Sequence, residues 1–187
     1  MLGVINNDAN LYAICDVAQS QIDERLKEFK VEKTCNDYRE LLDDPNVDVA
    51  IIVTPDYYHL EMTEAFLRAG KHVLCEKPMS CTAEETRQMI AVAEEKGLML
   101  MEAFMYRYGA KFRKMMQILS GGVLGEIKAM SGCHGYTLDW ASPAREDPKL
   151  GGGCLYDVGC YVVDCMNAVA KQQGGKLKPK GPITGNR

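Results

Sequence analysis

Residues 48–54, Asp-Val-Ala-Ile-Ile-Val-Thr, form an almost unbroken β-branched run that stops at Pro55. A run without polar alternation fits a strand covered on both faces, the usual state in a parallel sheet. The neighbouring segments repeat this pattern. Residues 9–15 (ANLYAIC) are a short apolar run ending at Asp16. In residues 20–29, Ile22, Leu26 and Phe29 share one helical face, with Ser20 placed as the N-cap. In residues 60–69, Met62, Ala65, Phe66 and Ala69 recur at helical spacing before Gly70. Residues 72–75 (HVLC) predict another strand. Thr82, with Glu85 three residues on, predicts a capping box that opens a helix running to about Lys96 and stopping at Gly97. Leu98–Met101 predicts a further buried strand. Four strands alternating with helices of this length predict βαβ units, a parallel sheet and an α/β fold. No internal repeat is visible.

Composition narrows the function classes. A chain of 187 residues allows one domain, or one domain and part of another. Hydrophobic residues at 47% and charged residues at 26% support a packed core rather than a disordered chain. The net charge is −4 and the 22 Lys and Arg form no long run, so neither nucleic acid nor an anionic membrane is an expected partner. No stretch reaches the roughly 18 apolar residues of a membrane helix. The opening MLGVINNDAN lacks a charged region followed by a long apolar block, so secretion is not indicated. The eight cysteines include no C-x-x-C pair and there are three histidines, so neither a zinc site nor a disulfide framework is expected. Reduced, buried thiols in a cytoplasmic protein are the expectation.

The pattern changes after about Ala103. Phe112, Met115, Met116 and Leu119 line one face of a helix that ends at Ser120-Gly121-Gly122, with the methionines as core. Ile127–Ser131 predicts a strand. A polar stretch, Thr137–Lys149, leads into Gly151-Gly152-Gly153 and an apolar helix from about Tyr156 to Lys171. The remainder, rich in Gly, Lys and Pro, predicts a disordered tail. The expected divisions are 1–103, a partial dinucleotide-binding domain; 104–170, the start of a substrate domain; and 171–187, the tail.

Three stretches are more specific than folding requires. In IIVTPDYYH (51–59), Thr54, Pro55 and Asp56 stand at the carboxyl end of a strand, where open α/β sheets bind ligands; a strand stopping at Pro is also common. In HVLCEKPMS (72–80), Glu76-Lys77-Pro78 puts an ammonium at the end of a buried strand. Desolvation there suits it to partner a reacting oxygen, and the Lys77–Pro78 bond is open to the cis form; a surface Lys after an edge strand is the plainer alternative. In GGGCLYDVGCY (151–161), three consecutive glycines suggest close backbone approach. Asp157 and Tyr161, four apart, fall on one helical face, a carboxylate beside a phenol; a glycine turn before an ordinary helix is the other reading.

Together these stretches resemble the Gfo/Idh/MocA family of nicotinamide-dependent oxidoreductases over roughly residues 9–170. Thr54, Pro55, His59 and AGKHVLCEKP (69–78), then EAFMYRY (102–108), the G-x-x-G-E turn at 122–126 and GGGCLYDVGCY follow the family order. The last two look closest to the dihydrodiol and xylose dehydrogenase branch. The resemblance implies hydride transfer between the nicotinamide and a secondary alcohol of a sugar, polyol or diol. It gives Lys77 a place beside the nicotinamide, Tyr161 the general acid/base role, and Asp157 the orienting of substrate or tyrosine. A Lys77 ammonium would favour the phenolate of Tyr161. Asp16, Thr54, Pro55, Asp56, His59, Glu76 and Lys77 are implied cofactor-binding residues, with His59 more readily read as helix-start architecture. A carboxylate at Asp16 suits both ribose hydroxyls and repels a 2′-phosphate, favouring NAD over NADP. Arg107 is open to a substrate or phosphate contact and to a structural salt bridge. Where family members often carry His-Pro after the next aromatic, Gly109-Ala110 stands here.

The start departs from the family pattern. The family's first strand and G-x-G-x-x-G turn have no counterpart before Asp16, and residues 1–8 resemble the end of the helix that follows them. The expected fold is therefore an incomplete Rossmann-type parallel sheet, followed by the start of an α+β substrate domain. In the 3-2-1-4-5-6 strand order the absent strand is central, so the Ala9 and Asp48 strands would each lose a neighbour. The far end is short as well, about one strand of the sheet through which family members form homo-oligomers. The expectation is an internal fragment, or truncated form, of an NAD-dependent dehydrogenase. The alternative is a non-catalytic binding or regulatory module that pairs with a full-length homologue.

Overall fold

The computed structural model describes residues 9–137 and 143–175. Expectations for residues 1–8, for 138–142 of the polar stretch and for the tail from 176 lie outside the described residues. Among the described residues five strands form: β1 (Ala13–Cys15), β2 (Lys33–Cys35), β3 (Val49–Ile52), β4 (His72–Cys75) and β5 (Leu100–Glu102). Helices α1 (Gln19–Leu26), α2 (His59–Arg68) and α3 (Ala83–Lys96) alternate with them. All pairing is parallel, in two sheets: β1 with β2, and β3-β4-β5. In register, Cys15 lies opposite Cys35, and Ile52 opposite Cys75. Among the described residues no ladder joins β1 to β3, so each is paired on one side only, as the expected strand order implies.

One core serves both sheets. Ile52, Phe66, Leu67, Val73 and Cys75 are buried together with Cys35 and Leu41, and Tyr12, Ala13 and Cys15 pack against them. Helix α2 packs on β3 and β4 and against α3. Its buried face is His59, Thr63, Phe66 and Leu67, rotated from the expected Met62-Ala65-Phe66-Ala69 stripe. Gly70 follows α2 at φ 83°, a left-handed angle that glycine adopts without Cβ strain. The Thr82–Glu85 capping box forms as predicted and opens α3.

Several expectations are corrected. The β3 run is not covered on both faces: Ala50 and Ile52 are buried, whereas Val49 and Ile51 are 52% and 41% exposed. Helices lie on the Ala50/Ile52 side, and among the described residues the other side has no layer. Ser20 is not an N-cap but lies inside α1, whose cap position is Ala18, two residues earlier, with no side-chain cap bond. The three-residue strand β2 was not anticipated, because KTC carries no hydrophobic signal. Residues 127–131 form no strand, having no partner strand among the described residues. Of the eight free thiols only Cys35 and Cys75 are buried, and Cys133 is exposed.

Beyond β5 come α4 (Ala110–Ser120), a helical turn at Pro143–Glu146 and α5 (Cys160–Gln172). Leu119 of α4 and Val169 of α5 are buried, and the two helices pack together. Helix α5 is entered through a π turn, Leu155–Gly159. Among the described residues no helix is long and apolar enough to cross a membrane.

Candidate active site

Parallel strands direct their carboxyl ends to one edge, and the site is assembled there. Asp16 follows β1; its Oδ1 accepts the Ala18 N–H at 2.8 Å, and its carbonyl accepts from Asn36 Nδ2 at 2.9 Å. Thr54, Pro55 and Asp56 follow β3, and Glu76 and Lys77 follow β4. The Lys77–Pro78 bond is cis. Glu76 Oε2 accepts the Lys77 backbone N–H at 3.1 Å. His59 is fully buried between the two strand ends, with Nε2 2.9 Å from the Thr54 carbonyl and Nδ1 3.0 Å from the Pro78 carbonyl. A carbonyl only accepts, so both contacts are hydrogen bonds only when both ring nitrogens carry hydrogen. His59 thus sits between the two loops, within hydrogen-bond distance of a carbonyl on each. Glu102, at the end of β5, accepts the Met79 N–H at 2.8 Å and steadies the same loop.

The glycine run brings the second half of the site against the first. Gly151 has φ 90°, and a Cβ there would lie 2.6 Å from Asp56 Cβ. Gly152 is equally confined, since its Cβ would lie 2.8 Å from the backbone of Arg145 and Asp147. Gly151 and Gly152 are thus explained by close approach to protein, and Gly153, which has open space at its Cβ position, by its φ of 137°. Behind them the π turn presents Asp157 to Lys77, whose Nζ donates to the Asp157 carbonyl at 2.5 Å and to Oδ1 at 3.2 Å. Lys77 Nζ also lies 5.2 Å from the centroid of the Tyr161 ring. Lys77, Asp157 and Tyr161, expected to act together, are together.

Groups absent from the expectations complete the cluster. Tyr136 donates to Asp157 Oδ2 at 2.6 Å, and Arg145 Nε lies 3.5 Å from the same oxygen. The His134 ring lies over Tyr161 at 5.4 Å. All three come from stretches without a period or motif, so nothing in their spacing marked them. Phe104 and Tyr106 meet the Tyr161 ring edge-on. Arg107 resolves to the salt bridge: Nε and Nη2 reach Asp164 at 2.8 and 2.5 Å, and Tyr106 shares that carboxylate at 2.6 Å.

Electrostatics separate the acids. Burial opposes ionisation of Asp157, but hydrogen bonds from Tyr136 and Lys77 outweigh it and hold its pKa below the usual carboxylate range. Burial likewise pulls Lys77 down, and the Asp157 carboxylate more than restores it. Asp56 is pushed by burial to about 6, with His59 and Lys77 pulling the other way. The expected phenolate of Tyr161 is not favoured overall. Burial raises this phenol, and the opposing pull of Lys77 does not overcome it. At neutral pH the Tyr161 hydroxyl therefore keeps its proton.

A family model described as "Oxidoreductase family, NAD-binding Rossmann fold" matches residues 4–104, and the "GFO/IDH/MocA C-terminal domain" matches residues 112–174. The chain belongs to the Gfo/Idh/MocA oxidoreductase family. Within it, the chain is similar to trans-1,2-dihydrobenzene-1,2-diol dehydrogenase of Mus musculus, 34% identical over 165 residues, 88% of this chain and 49% of the relative. Among solved structures it is similar to the aldose-aldose oxidoreductase from Caulobacter crescentus complexed with glycerol, at a TM-score of 0.79 and 27% identity over 89% of this chain and 50% of that one. It is also similar to the scyllo-inositol dehydrogenase of Lactobacillus casei with bound NAD(H) and scyllo-inositol, at a TM-score of 0.61 and 29% identity over 66% and 38% of the two chains. The chain spans about half the length of the curated dihydrodiol dehydrogenases it matches. The family's NAD-binding Rossmann character fits the strand-end residues described above. Asp16 Oδ1 accepts the Ala18 N–H, which leaves Oδ2 open to a donor. Among the described residues no G-x-G-x-x-G turn links a strand to a helix.

Proposed function

We propose that the cluster is the reacting end of an NAD-dependent dehydrogenase site for a secondary alcohol of a sugar, polyol or diol. The observation that carries this is the convergence of Lys77 on both Asp157 and Tyr161. Bound NAD would accept or return the hydride at its nicotinamide C4. Tyr161 exchanges the hydroxyl proton with the substrate: its raised pKa makes it a proton donor in carbonyl reduction, and ionising it for alcohol oxidation draws on the nearby Lys77 ammonium. Lys77 holds positive charge beside the reacting oxygen, and Asp157 keeps that ammonium in place. Asp16 would accept the adenosine ribose hydroxyls and disfavour a 2′-phosphate. Thr54, Pro55, Asp56 and Glu76 would line the cofactor, with His59 behind them between the loops. The relatives' names, a diol dehydrogenase and an inositol dehydrogenase, support this substrate class.

The test is NAD reduction with a panel of sugars, polyols and diols, run on the chain and on any longer polypeptide that contains it. Lys77→Ala and Tyr161→Phe should each lower turnover on the order of a hundredfold or more. NAD should bind more tightly than NADP by calorimetry. Unchanged turnover in both variants overturns the assignment.

A second reading, a binding or regulatory module without turnover, draws on the one-sided pairing of β1 and β3. A stable complex with a full-length homologue, without NAD binding, would support it. NAD binding with turnover would exclude it.

A further inference from the structure

Asp157 is held from two sides. Lys77 takes Oδ1 at 3.2 Å, while the other oxygen, Oδ2, faces the Tyr136 hydroxyl at 2.6 Å and Arg145 Nε at 3.5 Å. The side chains of Lys77 and Asp157 are 15% and 18% exposed, whereas Tyr136 is 49% exposed. A carboxylate turning about its last bond would offer either oxygen to the lysine, or neither. A short O–H···O⁻ bond on Oδ2 removes that freedom, because charge-assisted bonds are stronger and more directional than neutral ones. At 3.5 Å the Arg145 contact is longer than a strong hydrogen bond and fixes the carboxylate less firmly.

We propose that Tyr136 is a positioning residue, whose hydroxyl fixes the Asp157 carboxylate so that its second oxygen is presented to Lys77. This rests on the reading of Lys77 as the amine of the reaction site, and gives that site a third component from the segment after α4. Tyr136 touches no reacting atom in this arrangement; it acts through Asp157.

The ionisation of Lys77 in the chain itself reports the arrangement without turnover. Lysines reductively methylated with 13C formaldehyde are titrated by NMR, and the Lys77 resonance is the one missing in Lys77→Arg. In Tyr136→Phe the carboxylate loosens, burial then dominates, and the Lys77 titration shifts downward. A titration unchanged or shifted upward overturns the proposal. The reciprocal measurement is the ultraviolet titration of the Tyr136 phenol, identified as the transition lost in Tyr136→Phe. It should fall in Asp157→Asn, where the acceptor charge is gone; no change there also overturns the proposal. Both readouts are taken without cofactor. A Lys77 shift found where the chain and the longer polypeptide containing it both fail the NAD assay therefore supports the positioning role while overturning the dehydrogenase reading.

Discussion

Lys77 Nζ lies 3.2 Å from Asp157 Oδ1, although 80 positions separate the two residues. The pair joins the end of β4 to the entry of α5, both side chains being largely buried. Lys77→Met leaves the carboxylate with Tyr136 and a distant Arg145, and should lower stability by about 1–3 kcal/mol at pH 7. Adding Asp157→Asn should recover part of that loss. The pH dependence follows from the two shifts. Asp157 is depressed, so its contribution is present above the unfolded carboxylate pKa and is lost as pH falls through its folded value. Lys77 is raised, so its contribution is present below the unfolded lysine pKa and is lost as pH rises through its folded value. A double-mutant cycle by urea melts should show full coupling between these limits, and coupling that declines as the pH is lowered beneath the unfolded carboxylate pKa. Coupling independent of pH would contradict the ion pair.

Asp56 behaves in the opposite sense. Its carboxyl is pushed up to about 6 by burial, so the folded state holds the proton more tightly than the unfolded chain. The cost of ionising it is fully present above pH 6 and is relieved as pH falls toward 4. Asp56→Asn should therefore stabilise the protein at pH 8, by up to about 2 kcal/mol, and make no difference below pH 4. Urea midpoints for both proteins across pH 4–8 test this; a constant difference would show that the carboxyl is not desolvated.

Much of this arrangement was legible in the sequence because it lies at the ends of regular elements. The β-branched run ending at Pro55, the HVLC strand and the Thr82–Glu85 box each carry a local signal, and the strand ends then place Thr54 and Lys77 on one edge. Asp157 and Tyr161 were legible through their four-residue spacing. Tyr136 and Arg145 were not, since each reaches Asp157 from irregular chain whose course depends on contacts formed only in the folded protein. The same holds for Tyr161: the attraction of Lys77 could be anticipated, but not the burial among Phe104, Tyr106 and His134 that outweighs it. Half-covered β3 was misread because periodicity reports what could be buried, not which layers are there to bury it.

The meeting of Gly151 with Asp56 can be tested by substitution. Gly151→Ala meets two separate costs, a left-handed φ of 90° and a Cβ 2.6 Å from Asp56 Cβ. The first is worth about 1–2 kcal/mol, and the overlap should add about 1–3 kcal/mol. In an Asp56→Gly background only the first should remain. Chemical denaturation of the four proteins separates them. An equal effect in both backgrounds would mean that the loop moves away from β3 without resistance.

The orientation of Tyr161 depends on a clamp one turn further along α5. Asp164 accepts from Arg107 at 2.8 and 2.5 Å and from Tyr106 at 2.6 Å, tying α5 to the segment after β5. Tyr106 is also one of the rings packed on Tyr161, with centroids 5.8 Å apart. Asp164→Ala leaves a guanidinium and a phenol without their acceptor; because Arg107 is 40% exposed, water recovers part of the loss. The net cost should be about 1–2 kcal/mol, and the larger effect should be local. Amide hydrogen exchange in Cys160–Gln172 should accelerate while β3 and β4 stay protected. Asp164→Asn, which keeps one acceptor oxygen, should fall between the two. If Asp164→Ala slows or leaves unchanged the exchange of α5, the clamp does not hold the helix, and the ring contacts alone must fix Tyr161.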